Sequence, residues 1–141
     1  MKKPHKRKHY SKKKVWKVFS QYIRLKYANE EGIVECYTCG IKKYWNEGMQ
    51  AGHGFTGRGN SILFDERIVR PQCERCNWAL EGNYDIFHQK LVEEYGPGIL
   101  KEMNEQKKLK KEFSQEELDE LYIHYGEEVV KLKAKIKGGK K

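Results

Sequence analysis

Four cysteines form two pairs with the same spacing, Cys36 with Cys39 and Cys73 with Cys76. A Cys-x-x-Cys turn presents two thiolates to one metal ion, and two such turns complete the tetrahedral shell of zinc. Four free or redox-active cysteines are the alternative, but isolated cysteines rarely fall into two paired turns. The pattern therefore predicts a structural zinc site. Because four sulfurs leave no position for water, any chemistry must come from other residues.

A long insertion separates the two cysteine pairs. It spans 33 residues between Cys39 and Cys73, more than the roughly 15 to 20 residues of a simple zinc ribbon. It contains His53, at the end of a segment that can be extended, and a glycine-rich loop that carries Arg58. Arg58 could hold a phosphate through its planar guanidinium group, or it could be a solvated loop charge. The insertion therefore has room for a functional site.

Short helices and strands are expected around these residues. Apolar residues recur every three or four positions in residues 13–28, and again after Ser114, where Ser-x-x-Glu forms a capping box. The expected order is a helix at 13–28, a strand at 33–35, extended segments at 49–53, 62–64 and 67–70, the last ended by Pro71, a helical turn from Cys73 to Leu80, a helix between Gly82 and Gly96, and a last helix to Leu132. The fold class is therefore α+β, with a small zinc-knuckle core and flanking N- and C-terminal helices.

The formal charge of +9 is concentrated at the two ends of the chain. Residues 1–14 contain eight Lys or Arg and residues 131–141 contain six, and neither segment contains Asp or Glu. Such segments favour a polyanion, because cationic side chains that neutralise phosphates release counterions, although solubility alone is the alternative. We expect DNA as the partner, with contacts from the basic residues Lys2, Lys3, Lys6, Arg7, Lys8, Lys12, Lys13 and Lys14.

Four segments are expected along the chain. They are a disordered basic arm at 1–12, a zinc-knuckle domain with its N-terminal helix at 13–96, a C-terminal helical extension at 97–132 and a basic tail at 133–141. No apolar run approaches the roughly 18 residues of a membrane span, and no signal-peptide pattern follows the basic N-terminus. We therefore expect a cytoplasmic protein without a membrane partner, in the host cytoplasm if it is a phage protein. In a reducing compartment the cysteines are expected as thiolate ligands.

Several motifs together carry a resemblance to a known family. They are Trp16-Lys-Val-Phe-Ser-Gln-Tyr-Ile-Arg, Cys36-Tyr-Thr-Cys-Gly, Gln50-Ala-Gly-His, Phe64-Asp-Glu-Arg, Gln72-Cys-x-x-Cys-Asn and Gly82-Asn. Over about residues 15–96 the sequence is similar to the phage NinG (Rap) recombination protein family. The knuckle, the histidine-tipped ββ hairpin and the helix at the second cysteine pair also resemble the HNH, or ββα-metal, nucleases.

The resemblance implies a metal-dependent DNA endonuclease that acts in phage recombination or replication, with a preference for branched or single-stranded DNA. It places His53 at the position of the HNH general base and Asn77 where many HNH proteins have a metal-binding histidine. Mg²⁺ or Mn²⁺ would be the catalytic ion, with Asn77 and Asn83 as candidate ligands, although either asparagine could instead cap a helix. Symmetric cleavage of a junction would indicate a homodimer.

Two positions differ from the HNH pattern. Gly52 stands where many HNH enzymes have an acidic metal ligand, although the NinG pattern also has glycine there. Ile68 stands where a loop-fixing asparagine is expected. Asp65 or Glu66 could supply the missing carboxylate, or both could be solvated turn residues. Two alternatives to a nuclease therefore stay open: a non-catalytic, zinc-stabilised DNA-binding module, and a zinc-stabilised protein adaptor.

Overall fold

The computed structural model describes residues 8–56 and 59–137. It contains the helices and strands α1 (Lys12–Lys26), β1 (Ile33–Glu35), β2 (Lys42–Tyr44), β3 (Met49–His53), α2 (Asn60–Leu63), β4 (Val69–Cys73), a π-helical turn (Arg75–Ala79), α3 (Tyr84–Tyr95), α4 (Ile99–Gln106) and α5 (Gln115–Ala134). The predicted α+β class is confirmed. Lys2, Lys3, Lys6, Arg7 and Arg58 lie outside the described residues.

Two small antiparallel sheets form the centre of the fold. β1 pairs with β2, and β3 pairs with β4, with Met49 opposite Cys73 and His53 opposite Val69. The expectation that Pro71 ends a strand is wrong, because Pro71 lies within β4 opposite Ala51. Its carbonyl oxygen accepts a hydrogen bond from the N–H of Tyr37. The hydrogen-bonding side of the Pro71 backbone therefore points away from β3. Because proline has no N–H to donate, this position costs the β3–β4 ladder no hydrogen bond.

Two short helices differ from the sequence-based expectation. Residues 62–64 were expected to be extended, but Ile62 lies in α2, where its buried side chain packs with Ile99 and Met103 of α4. α4 itself was not predicted, since it presents only these two buried apolar positions, four residues apart. α2 and α4 are therefore each stabilised by burying apolar side chains against the other.

α1 and α5 pack side by side and run in the same direction. Near their N-termini, the ring of Tyr10 stacks on Tyr122 with 3.7 Å between centroids. Further along, the fully buried Phe19 packs edge-on against Tyr125 with 4.8 Å between centroids. At the C-terminal end Leu25 shares a cluster with Val129 and with three of the zinc cysteines. The predicted C-terminal extension therefore shares a core with the zinc-knuckle domain.

The N-terminal arm is held against α5 over its last residues. Nδ1 of His9 lies 2.8 Å from Oδ2 of the buried Asp119, and the backbone N–H of Tyr10 donates to Oδ1 of the same carboxylate at 2.9 Å. Although burial alone would raise the pKa of Asp119, these hydrogen bonds lower it to about 2. His9 and Tyr10, within the segment expected to be a disordered arm, therefore contact α5. The carboxylate and the Tyr10–Tyr122 stack supply the contacts that order them.

Candidate metal centre and adjoining cleft

The four cysteines converge at one point of the fold. Their Sγ atoms all lie within 4.8 Å of one another, and Sγ of Cys39 lies 3.7 Å from Sγ of Cys73. A tetrahedral zinc site with Zn–S bonds of about 2.3 Å has sulfur atoms about 3.8 Å apart. Three of the cysteines are buried and Cys39 is exposed. The cluster therefore fits one structural zinc ion, as the sequence predicts.

Tight local turns place each cysteine pair. Cys36 follows β1, and its carbonyl oxygen accepts from the N–H of Gly40, whose φ of +81° is a conformation that glycine adopts without strain. Cys73 ends β4, and Cys76 lies in the π-helical turn that follows. A strand end therefore supplies the first sulfur of each pair, and the turn after it supplies the second.

Polar groups around the sulfurs favour the thiolate form at Cys36. Burial would raise the pKa of this thiol, but hydrogen bonds from the Thr38 hydroxyl and from backbone N–H groups outweigh burial and lower the pKa to about 6. Nδ2 of Asn83 lies 3.7 Å from Sγ of Cys76, within reach of a hydrogen bond to sulfur. The side chain of Asn83 therefore does not cap α3. Its amide N–H faces the cysteine cluster instead.

Gln72 joins the zinc cluster to the chain that leads into α3. Its side chain is completely buried, and its Nε2 donates to Oγ1 of Thr38 at 3.1 Å and to the carbonyl oxygen of Gly82 at 2.9 Å. Its Oε1 is buried and has no hydrogen-bond partner among the described residues. No role for Gln72 follows from the sequence, because an amide between a strand and a cysteine carries no signal of what it will contact.

The position of Gln72 explains why residue 52 is glycine. A Cβ atom built on Gly52 would lie 1.7 Å from Oε1 of Gln72 and 2.5 Å from its Cδ. Gln72 cannot easily move, since both hydrogen bonds of its amide would break. The structure therefore leaves no room at position 52 for the acidic ligand that many HNH enzymes have there.

Gly52→Ala is expected to lower the free energy of unfolding by about 1–3 kcal/mol, the usual cost of overpacking a filled interior. Gly126→Ala is the matched control, because nothing lies within 4 Å of a Cβ at that helical position. There alanine should leave stability unchanged or raise it by up to about 1 kcal/mol. Urea denaturation of both zinc-loaded variants measures the difference. Equal stability of the two would contradict the packing argument.

A cleft of about 540 Å³ opens beside the β3–β4 sheet. Its lining includes the side chains of Trp16, His53, Asn77, Trp78, Glu81 and Tyr84. The structure thus brings together His53 and Asn77, two residues that the sequence placed in one site. Glu81 was not among the predicted site residues, because it lies just beyond the helical turn that carries Asn77 and belongs to no motif of the sequence.

His53 is held in one orientation at the end of β3. Its side chain is only 6% exposed, and Nε2 lies 3.0 Å from the carbonyl oxygen of Ile62. Since a carbonyl can only accept, Nε2 carries the proton, and Nδ1, which accepts a 3.3 Å hydrogen bond from the N–H of Phe55, carries the lone pair. This tautomer puts the proton-accepting atom of the imidazole at Nδ1.

Asn77 is oriented by a neighbour from β3. Its Nδ2 donates to Oε1 of Gln50 at 2.6 Å, so the carbonyl end of the amide, Oδ1, is the end left to accept a ligand. Helix capping does not explain this residue, because the N-cap of the π-helical turn is Glu74. An amide oxygen held in this way is a suitable ligand for a hard divalent cation.

The other acidic candidates near the hairpin have structural partners. Asp65 binds the guanidinium group of Arg67, with 2.9 Å between Oδ2 and Nη2. Glu66 accepts hydrogen bonds from the hydroxyls of Tyr22 and Tyr125. Ile68, where a loop-fixing asparagine was expected, is completely buried in the apolar cluster. Neither carboxylate lines the cleft that contains His53.

Exposed lysines lie on α1, the helix that contributes Trp16 to this cleft. Trp16 lines the cleft. Lys13 comes three positions before Trp16 and Lys17 one position after it, and both lysines are exposed. Lys8, Lys12 and Lys14 are also exposed, and Nζ of Lys12 donates to Oδ1 of Asn60 at 3.0 Å. Trp78 also lines the cleft and is 74% exposed. The cleft thus has aromatic residues in its lining, and the helix that contributes Trp16 also carries exposed lysines.

Comparison with known proteins identifies one family. The family model described as "Bacteriophage Lambda NinG protein" matches residues 1–135. No curated protein and no solved structure gives a match. Within the described residues, no helix is both long enough and apolar enough to cross a membrane.

Proposed function

Because the chain belongs to the bacteriophage lambda NinG family, we propose that it is a metal-dependent DNA endonuclease of the HNH type that acts in phage recombination or replication. The observation that carries this proposal is the shared cleft of His53 and Asn77, built on a β-hairpin and a helical turn that the cysteine cluster joins. A rigid scaffold of this kind is what a hydrolytic site requires to hold its groups in place.

In this proposal His53 is the general base. Its Nε2–H is held by the carbonyl oxygen of Ile62. The water that attacks the phosphorus atom displaces the 3.3 Å hydrogen bond from the N–H of Phe55 and gives its proton to Nδ1. The carbonyl also stabilises the imidazolium ion that results, because it accepts a stronger hydrogen bond from a charged ring. Proton transfer of this kind accelerates reactions by about 10² to 10⁴.

The residues of the cleft also fit a hard divalent cation. Oδ1 of Asn77 is the amide oxygen that Gln50 leaves available, and such an ion takes oxygen ligands in preference to sulfur. When bound, Mg²⁺ or Mn²⁺ would neutralise charge that develops on the phosphate and on the leaving oxygen. The zinc cysteines take no part in this chemistry, since four thiolates leave zinc no open position.

Lysines supply the attraction to DNA in this proposal. Lys13 and Lys17 are exposed on the helix that contributes Trp16 to the cleft, and in this proposal they contact phosphates that neighbour the one to be cut. The exposed Lys8, Lys12 and Lys14 extend the same basic region along the start of α1. Binding is therefore expected to weaken steeply as the salt concentration rises.

Cleavage of labelled DNA by the zinc-loaded protein tests the proposal. Single-stranded, duplex and four-way-junction DNA are incubated with Mg²⁺ or Mn²⁺, and without any divalent ion. A nuclease cuts at least one substrate only when the ion is present, and the ranking of substrates identifies its preferred DNA structure. Salt-sensitive retention without cleavage would indicate a DNA-binding module, and absence of retention would indicate a protein adaptor.

A further inference from the structure

We propose that the carboxylate of Glu81 is the anionic ligand of a divalent-cation site that Glu81 and Asn77 form in the cleft beside His53. This inference rests on the proposed function and supplies a residue for it. A site for Mg²⁺ or Mn²⁺ normally includes at least one carboxylate, because these ions give up their water reluctantly and an amide oxygen alone binds them weakly.

The usual position for that carboxylate is closed in this protein. A side chain at position 52 would collide with the buried amide of Gln72. Asp65 and Glu66 are engaged by Arg67 and by two tyrosine hydroxyls. The ligand must therefore come from a different element of the fold.

Glu81 is the one carboxylate among the described side chains that line the cleft. Its side chain is exposed, and it makes no hydrogen bond or ion pair with any of the described residues. No lysine or arginine of the described chain lines the cleft beside it. An unpaired carboxylate in the same cleft as an oriented amide oxygen is a suitable environment for a cation.

The backbone holds Glu81 firmly in this place. Its N–H donates to the carbonyl oxygen of Trp78 at 3.1 Å, and the next residue, Gly82, donates to Cys76 and accepts from Gln72. Glu81 has a φ of +49°, a left-handed conformation that is unfavourable for a glutamate and natural for glycine. Glycine would be the more stable choice at position 81, so the strain is consistent with a carboxylate that is kept for function.

Terbium luminescence tests this site without reference to cleavage. Tb³⁺ is a hard ion that takes oxygen ligands and emits when a nearby excited tryptophan transfers energy to it, and Trp16 and Trp78 line the same cleft. Zinc-loaded wild type is expected to bind Tb³⁺ with sensitised emission that Mg²⁺ or Mn²⁺ displaces. Glu81→Gln is expected to weaken this binding at least about tenfold, because the carboxylate is lost.

Two further variants separate ligation from stability. Glu81→Gly removes the carboxylate but relieves the positive φ, so its melting temperature should equal or exceed that of wild type while Tb³⁺ binding is lost. Glu127→Gln is the matched control, since Glu127 is an exposed glutamate of α5 outside the cleft. It should bind Tb³⁺ as wild type does.

The outcomes distinguish this inference from the proposed function. Wild-type affinity for Tb³⁺ in Glu81→Gln, or no displaceable emission from wild type, overturns the Glu81 site. If DNA is nevertheless cut with Mg²⁺ and the cutting depends on His53, the nuclease proposal stands without the Glu81 site. Conversely, Glu81-dependent Tb³⁺ binding by a protein that cuts no DNA supports the cation site and removes the nuclease proposal.

Discussion

Removal of zinc, by a strong chelator or by Cys76→Ser, is expected to unfold the protein. Cys76 is completely buried, and it shares an apolar cluster with Leu25, Trp45 and Val129. Structural zinc sites contribute about 10–16 kcal/mol in small zinc-binding peptides, whereas a whole domain is stable by only about 5–15 kcal/mol. Loss of the metal therefore removes an amount of free energy comparable to the whole free energy of unfolding of the domain.

Near-UV circular dichroism and zinc content, measured on the same samples, check this expectation. The aromatic signal should disappear as the chelator extracts the metal, and it should return when one equivalent of zinc is added back. Cys76→Ser should lack both the metal and the signal. A metal-free protein that keeps the near-UV spectrum and the cooperative thermal transition of wild type would show that the cysteine cluster is dispensable for folding.

His53→Ala is expected to reduce the cleavage rate by about 10²-fold to 10⁴-fold, because the proposed general base is lost. Binding to the same DNA should change little, since the lysines of α1 are untouched. Single-turnover cleavage with Mg²⁺ measures the effect, and a gel-shift assay at fixed salt measures binding. Imidazole added to the solution should restore part of the rate to His53→Ala by taking the place of the missing ring.

His88→Ala is the matched control for this experiment. Nε2 of His88 also donates to a backbone carbonyl, that of Gly54 at 2.7 Å, so its loss costs the fold a similar hydrogen bond of about 1–3 kcal/mol. His88 is not among the residues that line the cleft. If the two folded, zinc-loaded variants lost cleavage equally, His53 would have a structural role in this protein.

Local patterns predicted much of this site. The two Cys-x-x-Cys turns are short enough for their spacing alone to orient the sulfurs, and the convergence of the pairs followed from the preference of zinc for four ligands. His53 and Asn77 were expected to share a site because of the resemblance to the HNH nucleases. Strand pairing alone does not predict it, since His53 lies opposite Val69 and Asn77 follows the other end of β4, where Cys73 lies opposite Met49. The structure places both in one cleft.

Long-range packing explains what sequence analysis missed. Nothing local indicates that Gln72 fills the space above Gly52, because that contact depends on strand register and on a hydrogen bond to Gly82. The helical conformation of Ile62 depends on burial against Met103, which lies 41 residues later in the sequence. The extended conformation expected from the local sequence was overruled there by apolar surface from a distant segment.

The pairing of α1 with α5 has a consequence for synthesis of the chain. Phe19 is among the first apolar residues made, but its partner Tyr125 is added more than 100 residues later. At bacterial translation rates near the upper end of about 5–20 residues per second, the apolar face of α1 therefore waits for at least about 5 s before its cover exists. During that interval the growing chain exposes a surface that a chaperone can bind, and folding is completed only when the last helix has been made.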